Sequence, residues 1–142
     1  IAYIGPGDTR VDGFRVALGE RGLEARGIGP ANTPQLGYEQ ATIRCLSKLS
    51  GLVVGSDEVA FGVLKYCQER AIAVPNDLAL VSIDNITLSA FASPSLTTIA
   101  VPQKAIGERA IQMLIGPNKN APESIMLPTE LIIRESCGFK IA

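Results

Sequence analysis

The stretch "GLVVGSDEVAFGVLKYCQERAIAVPNDLALVSIDN", Gly51 to Asn85, decides the fold. Gly51 to Gly55 is a short apolar run that reads as a buried strand, and Ser56-Asp57 is a helix cap. Glu58 to Arg70 then reads as a helix with Val59, Gly62, Val63 and Tyr66 along one stripe. After the "VPND" connection, Leu78 to Ile83 is apolar on both faces, as a strand covered on two sides must be. A carboxylate, Asp84, stands at the lip of that strand.

The same alternation extends in both directions. Ile1 to Ile4 reads as a strand, followed by the Gly5-Pro6-Gly7-Asp8 turn and a helix from about Thr9 to Arg21. Leu23 to Ile28 is a weaker strand, and a helix runs from about Pro34 to Leu49. Successive β-α units predict a three-layer α/β fold, a parallel sheet with helices on both faces. Right-handed crossovers place the loops that lead into the helices on one rim. Beyond it, Leu88 to Phe91 is a short helix candidate and Thr97 to Val101 is extended. A helix follows from Pro102 to about Ile115, then a "GPNKNAP" loop, and Ile125 to Arg134 holds one or two last strands.

The totals suit one globular domain: 142 residues, net charge −1, and 46% hydrophobic residues. No basic cluster offers a footprint for nucleic acid or an anionic membrane, and no apolar run is long enough to span a bilayer. Three scattered cysteines, Cys45, Cys67 and Cys137, indicate neither a disulfide framework nor a zinc site. They read as reduced structural thiols of a cytoplasmic protein. With no histidine and no nucleophile or phosphate-binding motif, no catalytic constellation, metal site or cofactor is expected. The chain opens inside a strand without an initiator Met, so it is expected to be cut from something longer.

Ligands of open α/β sheets bind at the carboxyl ends of the strands. That rule collects Asp8 and Arg10 after the first strand, Asn32 after the second, Ser56 and Asp57 after the third, and Asp84 and Asn85 after the fourth. Arg10 stands in a first helical turn, where a cation opposes the helix dipole. Its guanidinium either serves a ligand or pairs with Asp8 or Asp12. Asp84 either receives donors from a ligand or caps the Leu88 to Phe91 helix. Helix capping accounts for Asp57.

Four segments, "YIGPGDTRVDGFRVALGERGL", the Gly55 to Asn85 block, "SPSLTTIAVPQKAIGERAIQMLI" and "LPTELIIRESC", together resemble the effector-binding domain of lac-repressor-type (LacI/GalR family) transcriptional regulators. The resemblance covers nearly the whole chain. It implies a periplasmic-binding-protein-like lobe: residues 1–96 and 125–142 form the C-terminal lobe, and 97–124 are a crossover segment and helix of an otherwise missing N-terminal lobe. Thr97-Thr98 would be the crossover out and Leu127 to Glu130 the return. Arg10, Asp84, Ser56, Asn32 and Asp8 would contact a small-molecule effector between the lobes, with Asp84 the pocket aspartate. Asn32 departs from the aromatic ring that many members place there. Val59, Val63, Phe91 and Ala92 would lie where two copies meet, with packing in the chain's own core an equal reading for Val59 and Val63. The stripe Ile106, Ala110, Met113 and Leu114 would have nothing within this chain to cover it. The implied protein is a homodimeric, non-enzymatic repressor that binds operator DNA through a helix-turn-helix absent here. The rival is a periplasmic solute-binding protein of a transporter.

Overall fold

The computed structural model describes residues 1–43, 46–115 and 124–139. Strands β1 (Ala2–Gly5), β2 (Arg26–Pro30), β3 (Gly51–Val54), β4 (Ala79–Asp84), β5 (Thr97–Ala100) and β6 (Glu130–Ile132) form one sheet in the order β2-β1-β3-β4-β5-β6. Only β6 runs antiparallel, against β5. Helices α1 (Thr9–Gly19), α2 (Pro34–Ile43), α3 (Asp57–Glu69) and α4 (Gln103–Ile115) connect them, with single 3-10 turns at Leu46–Lys48, Thr87–Ala90 and Glu135–Cys137.

Side-chain alternation along the strands splits the core in two. Tyr3 faces α1 and packs with Val11, Phe14 and Leu18. Its neighbours Ala2 and Ile4 face the other way, joining Leu52, Val54 and Leu80 beneath α2 and α3. The expected three layers are present. Helices α2 and α3 cross backbone to backbone: a Cβ on Gly62 would stand 1.8 Å from the Pro34 carbonyl oxygen, and one on Gly37 2.3 Å from that of Val59.

Several boundaries differ from expectation. The second strand is Arg26–Pro30 instead of Leu23 to Ile28, because an edge strand bonded to β1 alone tolerates glycine and proline. Helix α2 stops at Ile43 and the chain continues as a 3-10 turn. One strand, β6, forms within 125–134. Thr97 and Thr98, expected to be the crossover out, are buried in β5, a full member of this sheet beside β4. The chain leaves the sheet after Ala100 and rejoins it at Glu130. Cys45 and the "GPNKNAP" loop lie outside the described residues.

Helix α4 contributes no buried residue. Ile106, Ile111, Met113, Leu114 and Ile115 are 44 to 74% exposed, as the apolar stripe without a cover predicted. Between α4 and residues 125–129 lies an open apolar groove of about 380 Å³. No helix among the described residues is long and apolar enough to cross a membrane. Burial pushes the Cys67 thiol up to about 11, so it is an unreactive interior group.

Candidate binding site at the sheet switch point

From β1 the chain moves outward to β2 and then returns to place β3 on β1's other side. The loops after β1 and β3 therefore diverge, and a crevice opens where the direction of winding reverses. The two strand ends are drawn close: Gly55 N–H donates to the Ile4 carbonyl at 2.8 Å, and a Cβ on Gly5 would meet the Gly55 Cα at 2.7 Å. The buried Tyr3 hydroxyl closes the base by donating to the Pro6 carbonyl at 3.2 Å.

Arg10 spans this crevice. Its Nε donates to both Asp8 oxygens at 3.0 Å, Nη2 donates to Asp8 Oδ2 at 2.5 Å, and Nη1 donates to the Gly55 carbonyl at 2.8 Å. The expected pairing with Asp8 is present, and the Gly55 bond carries the guanidinium across the crevice. Asp8 also caps α1, accepting from Arg10 N–H at 3.0 Å. The Arg10 hydrogen bond holds the Asp8 carboxyl below its ordinary value, and the same contact raises Arg10.

Asp84 sits on the opposite wall, near the N-terminus of α3. Burial pushes its carboxyl up, the charge of Asp57 adds to that rise, and Arg10 together with the Asp57 backbone N–H opposes it. Ser56 is the α3 cap, its hydroxyl accepting from Val59 N–H at 3.3 Å. Asp8, Arg10, Ser56 and Asp84 thus share one mouth. Asn32 is exposed beyond the outer strand β2, and among the described residues no hydrogen bond joins it to them.

Asp57 does not cap α3, contrary to expectation; Ser56 does. The Asp57 side chain is fully buried and binds away from its own helix. Oδ1 accepts from the Ser82 hydroxyl and from Thr98 Oγ1 at 2.7 Å; Oδ2 accepts from Ser89 Oγ at 2.5 Å and from Ile86 N–H at 2.9 Å. A buried carboxylate with four donors is satisfied in place. The hint in the sequence was the opposite half of this knot: Ser82 and Thr98 are hydroxyls inside otherwise apolar strands, and each needed a buried acceptor. The knot encloses the turn that carries Asp84. Asp84 and Asn85 adopt φ of +122° and +55°, backbone that costs on the order of 1–3 kcal/mol per residue and persists at functional sites when neighbours enforce it.

A family model described as a periplasmic binding protein-like domain matches residues 1–137. The chain is 33% identical over 135 residues to catabolite control protein A of Priestia megaterium, an alignment covering 89% of this chain and 41% of that protein. It is 30% identical over 106 residues to the lactose operon repressor of Rhizobium radiobacter, covering 72% of this chain and 94% of that protein. The chain belongs to the LacI family. The solved LacI family transcriptional regulator from Arthrobacter sp. FB24, in complex with lactose, superposes with a TM-score of 0.84 at 28% identity, covering 96% of this chain and 55% of that one. The chain spans from a quarter to about two fifths of the length of the first curated relatives it matches.

In this LacI-family lobe the residues expected to meet a second copy divide. Val59 and Val63 are fully buried in the lobe's own core and present no surface to another chain. The α3 stripe that sequence periodicity found is its inward face. Ala92 is half-buried against the same core. Phe91 is 80% exposed and Leu88 62%. The outward face of α3 carries Phe61 and Lys65, which border a shallow cleft with Pro34 and Tyr38. There Glu69 accepts from the Tyr38 hydroxyl at 2.6 Å and from Lys65 at 2.7 Å.

Proposed function

We propose that this chain is the effector-sensing lobe of a LacI-type transcriptional repressor, a cytoplasmic homodimer that binds operator DNA through a segment outside these residues. The observation that carries the reading is that Arg10 and Asp84, close enough to feel each other's charge, stand at the same strand-end rim of the switch-point crevice. With Nε and one N–H of each terminal nitrogen engaged, Arg10 keeps one N–H on Nη1 and one on Nη2 for a ligand. Asp84 offers carboxylate oxygens whose charged form burial disfavours. Donors and acceptors facing each other suit a molecule with several hydroxyls or ring N–H groups, such as a sugar or nucleobase.

The ligand would be completed from above by a second lobe reached through β5 and left through β6. The uncovered apolar face of α4 fits burial against that lobe. Closing the two lobes on the ligand would favour one arrangement of the dimer over another, and effector and operator affinities would be coupled reciprocally. Phe91, with Leu88 beside it, supports a second copy at that end of the lobe. The regulators among the relatives favour this reading over a transporter's solute-binding protein.

The test is calorimetric titration of the native full-length protein against a sugar panel that includes lactose. Asp84→Asn should weaken binding by about 10- to 100-fold, the worth of a hydrogen bond to a charged group, with thermal unfolding retained. Binding that survives this substitution at parental strength would refute the site.

A further inference from the structure

The positive-φ pair Asp84-Asn85 is held from two directions. From below, Asp57 fixes Ile86 N–H and Thr98 Oγ1, and Thr98 Oγ1 in turn accepts from Asn85 N–H at 3.2 Å. The second hold comes from the far end of the chain. Arg134 lies just past β6; its Nη2 donates to Asn85 Oδ1 at 2.8 Å and its Nη1 to the Leu96 carbonyl at 2.6 Å. Its backbone is fixed as well: Arg134 N–H donates to Thr97 Oγ1 at 2.8 Å, and the Arg134 carbonyl accepts from that hydroxyl at 3.0 Å.

Among the described residues no carboxylate pairs with Arg134. A half-buried guanidinium here serves two neutral acceptors, a use of its planar fork that an ammonium cannot copy. Adjacent residues anchor the same segment without touching the turn. Glu135 accepts from Ser95 N–H at 2.8 Å and from Ser95 Oγ at 2.9 Å, and Ser136 Oγ donates to the Leu80 carbonyl at 2.7 Å.

We infer that Arg134 is a positioning residue for Asp84: it locks Asn85 to the segment just past β6, so that a displacement of that segment reaches the carboxylate. The inference deepens the binding reading and rests on it for the consequence to affinity, but the lock itself is measured with no ligand added. Hydrogen exchange followed by mass spectrometry on the native full-length polypeptide reads it directly. Arg134→Gln and Arg134→Lys should each speed exchange across residues 82–88 by about tenfold or more. Lysine keeps the charge and loses the fork, so it should not rescue. Glu135→Gln loosens the neighbouring anchor and should leave 82–88 within about twofold of the parent. Unchanged exchange in both Arg134 variants would overturn the inference. So would equal loosening by Glu135→Gln, which would make the segment a general anchor. Failure of Asp84→Asn to weaken ligand binding would sink the proposed pocket and leave this result standing.

Discussion

Helices α3 and α4 are both 13 residues long and both amphipathic, yet α3 buries eight residues and α4 none. Helix α3 packs on the sheet beside α2, close enough for backbone contact at Gly62. Helix α4 follows the strand that leaves the sheet and, among the described residues, borders residues 125–129 across an open groove. An apolar stripe states that a face needs cover and says nothing of where the cover comes from. The two helices therefore provide matched sites at which the same kind of substitution should give opposite results.

The largest contrast is between their acids. Asp57→Ala strands three hydroxyls and one N–H in the interior and should cost about 3–5 kcal/mol or prevent folding. Glu108→Ala, which loses a 3.8 Å exposed pairing with Lys104, should stay within about 0.5 kcal/mol in urea unfolding. Next come the glycines. Gly62→Ala forces Cβ into the Pro34 carbonyl and should destabilise by about 3 kcal/mol, whereas Gly107→Ala meets nothing within 4 Å and should stabilise by about 0.5–1 kcal/mol through helix propensity. For the apolar positions, Val63→Ala should cost about 2 kcal/mol, and Leu114→Ala, 68% exposed, about 0.5 kcal/mol or less in this chain.

The smallest effect concerns pH. Burial first, and then the Asp57 charge, raise Asp84 in the folded state, so folding takes up a proton there and stability falls as pH rises through the interval above the ordinary carboxylate value. Asp84→Asn should bring a small gain near neutral pH that vanishes below about pH 4, where both states are protonated. Asp8 is displaced the other way by Arg10; Asp8→Asn should lose stability at neutral pH and lose nothing at low pH. Thermal melts of both variants across pH 3–8 check the opposed signs.

The parallel β-α succession, the rim and the exposed α4 stripe were legible because strand and helix periods are local signals. The Arg26–Pro30 strand was hidden because edge pairing with β1 outweighs the turn-like glycines and proline within it. Val59 and Val63 were visible as one stripe, but periodicity could not tell an inward stripe from an interface. The least legible parts were the longest in reach. Asp57 finds its hydroxyl partners 25 to 41 residues away, and Arg134 meets Asn85 across 49. Asp8, Arg10 and Asp84 could be collected by the strand-end rule; what holds Asp84 in place could not.

Strand β6 has three residues and closes the open side of β5. Because synthesis runs from the N-terminus, the ribosome finishes β5 at Ala100 and delivers Glu130 roughly 30 codons later, an interval of about 2–6 s at cellular elongation rates. During that interval the nascent chain displays an unpaired strand edge of Thr-Thr-Ile-Ala, the kind of template that invites association between neighbouring polypeptides on a polysome.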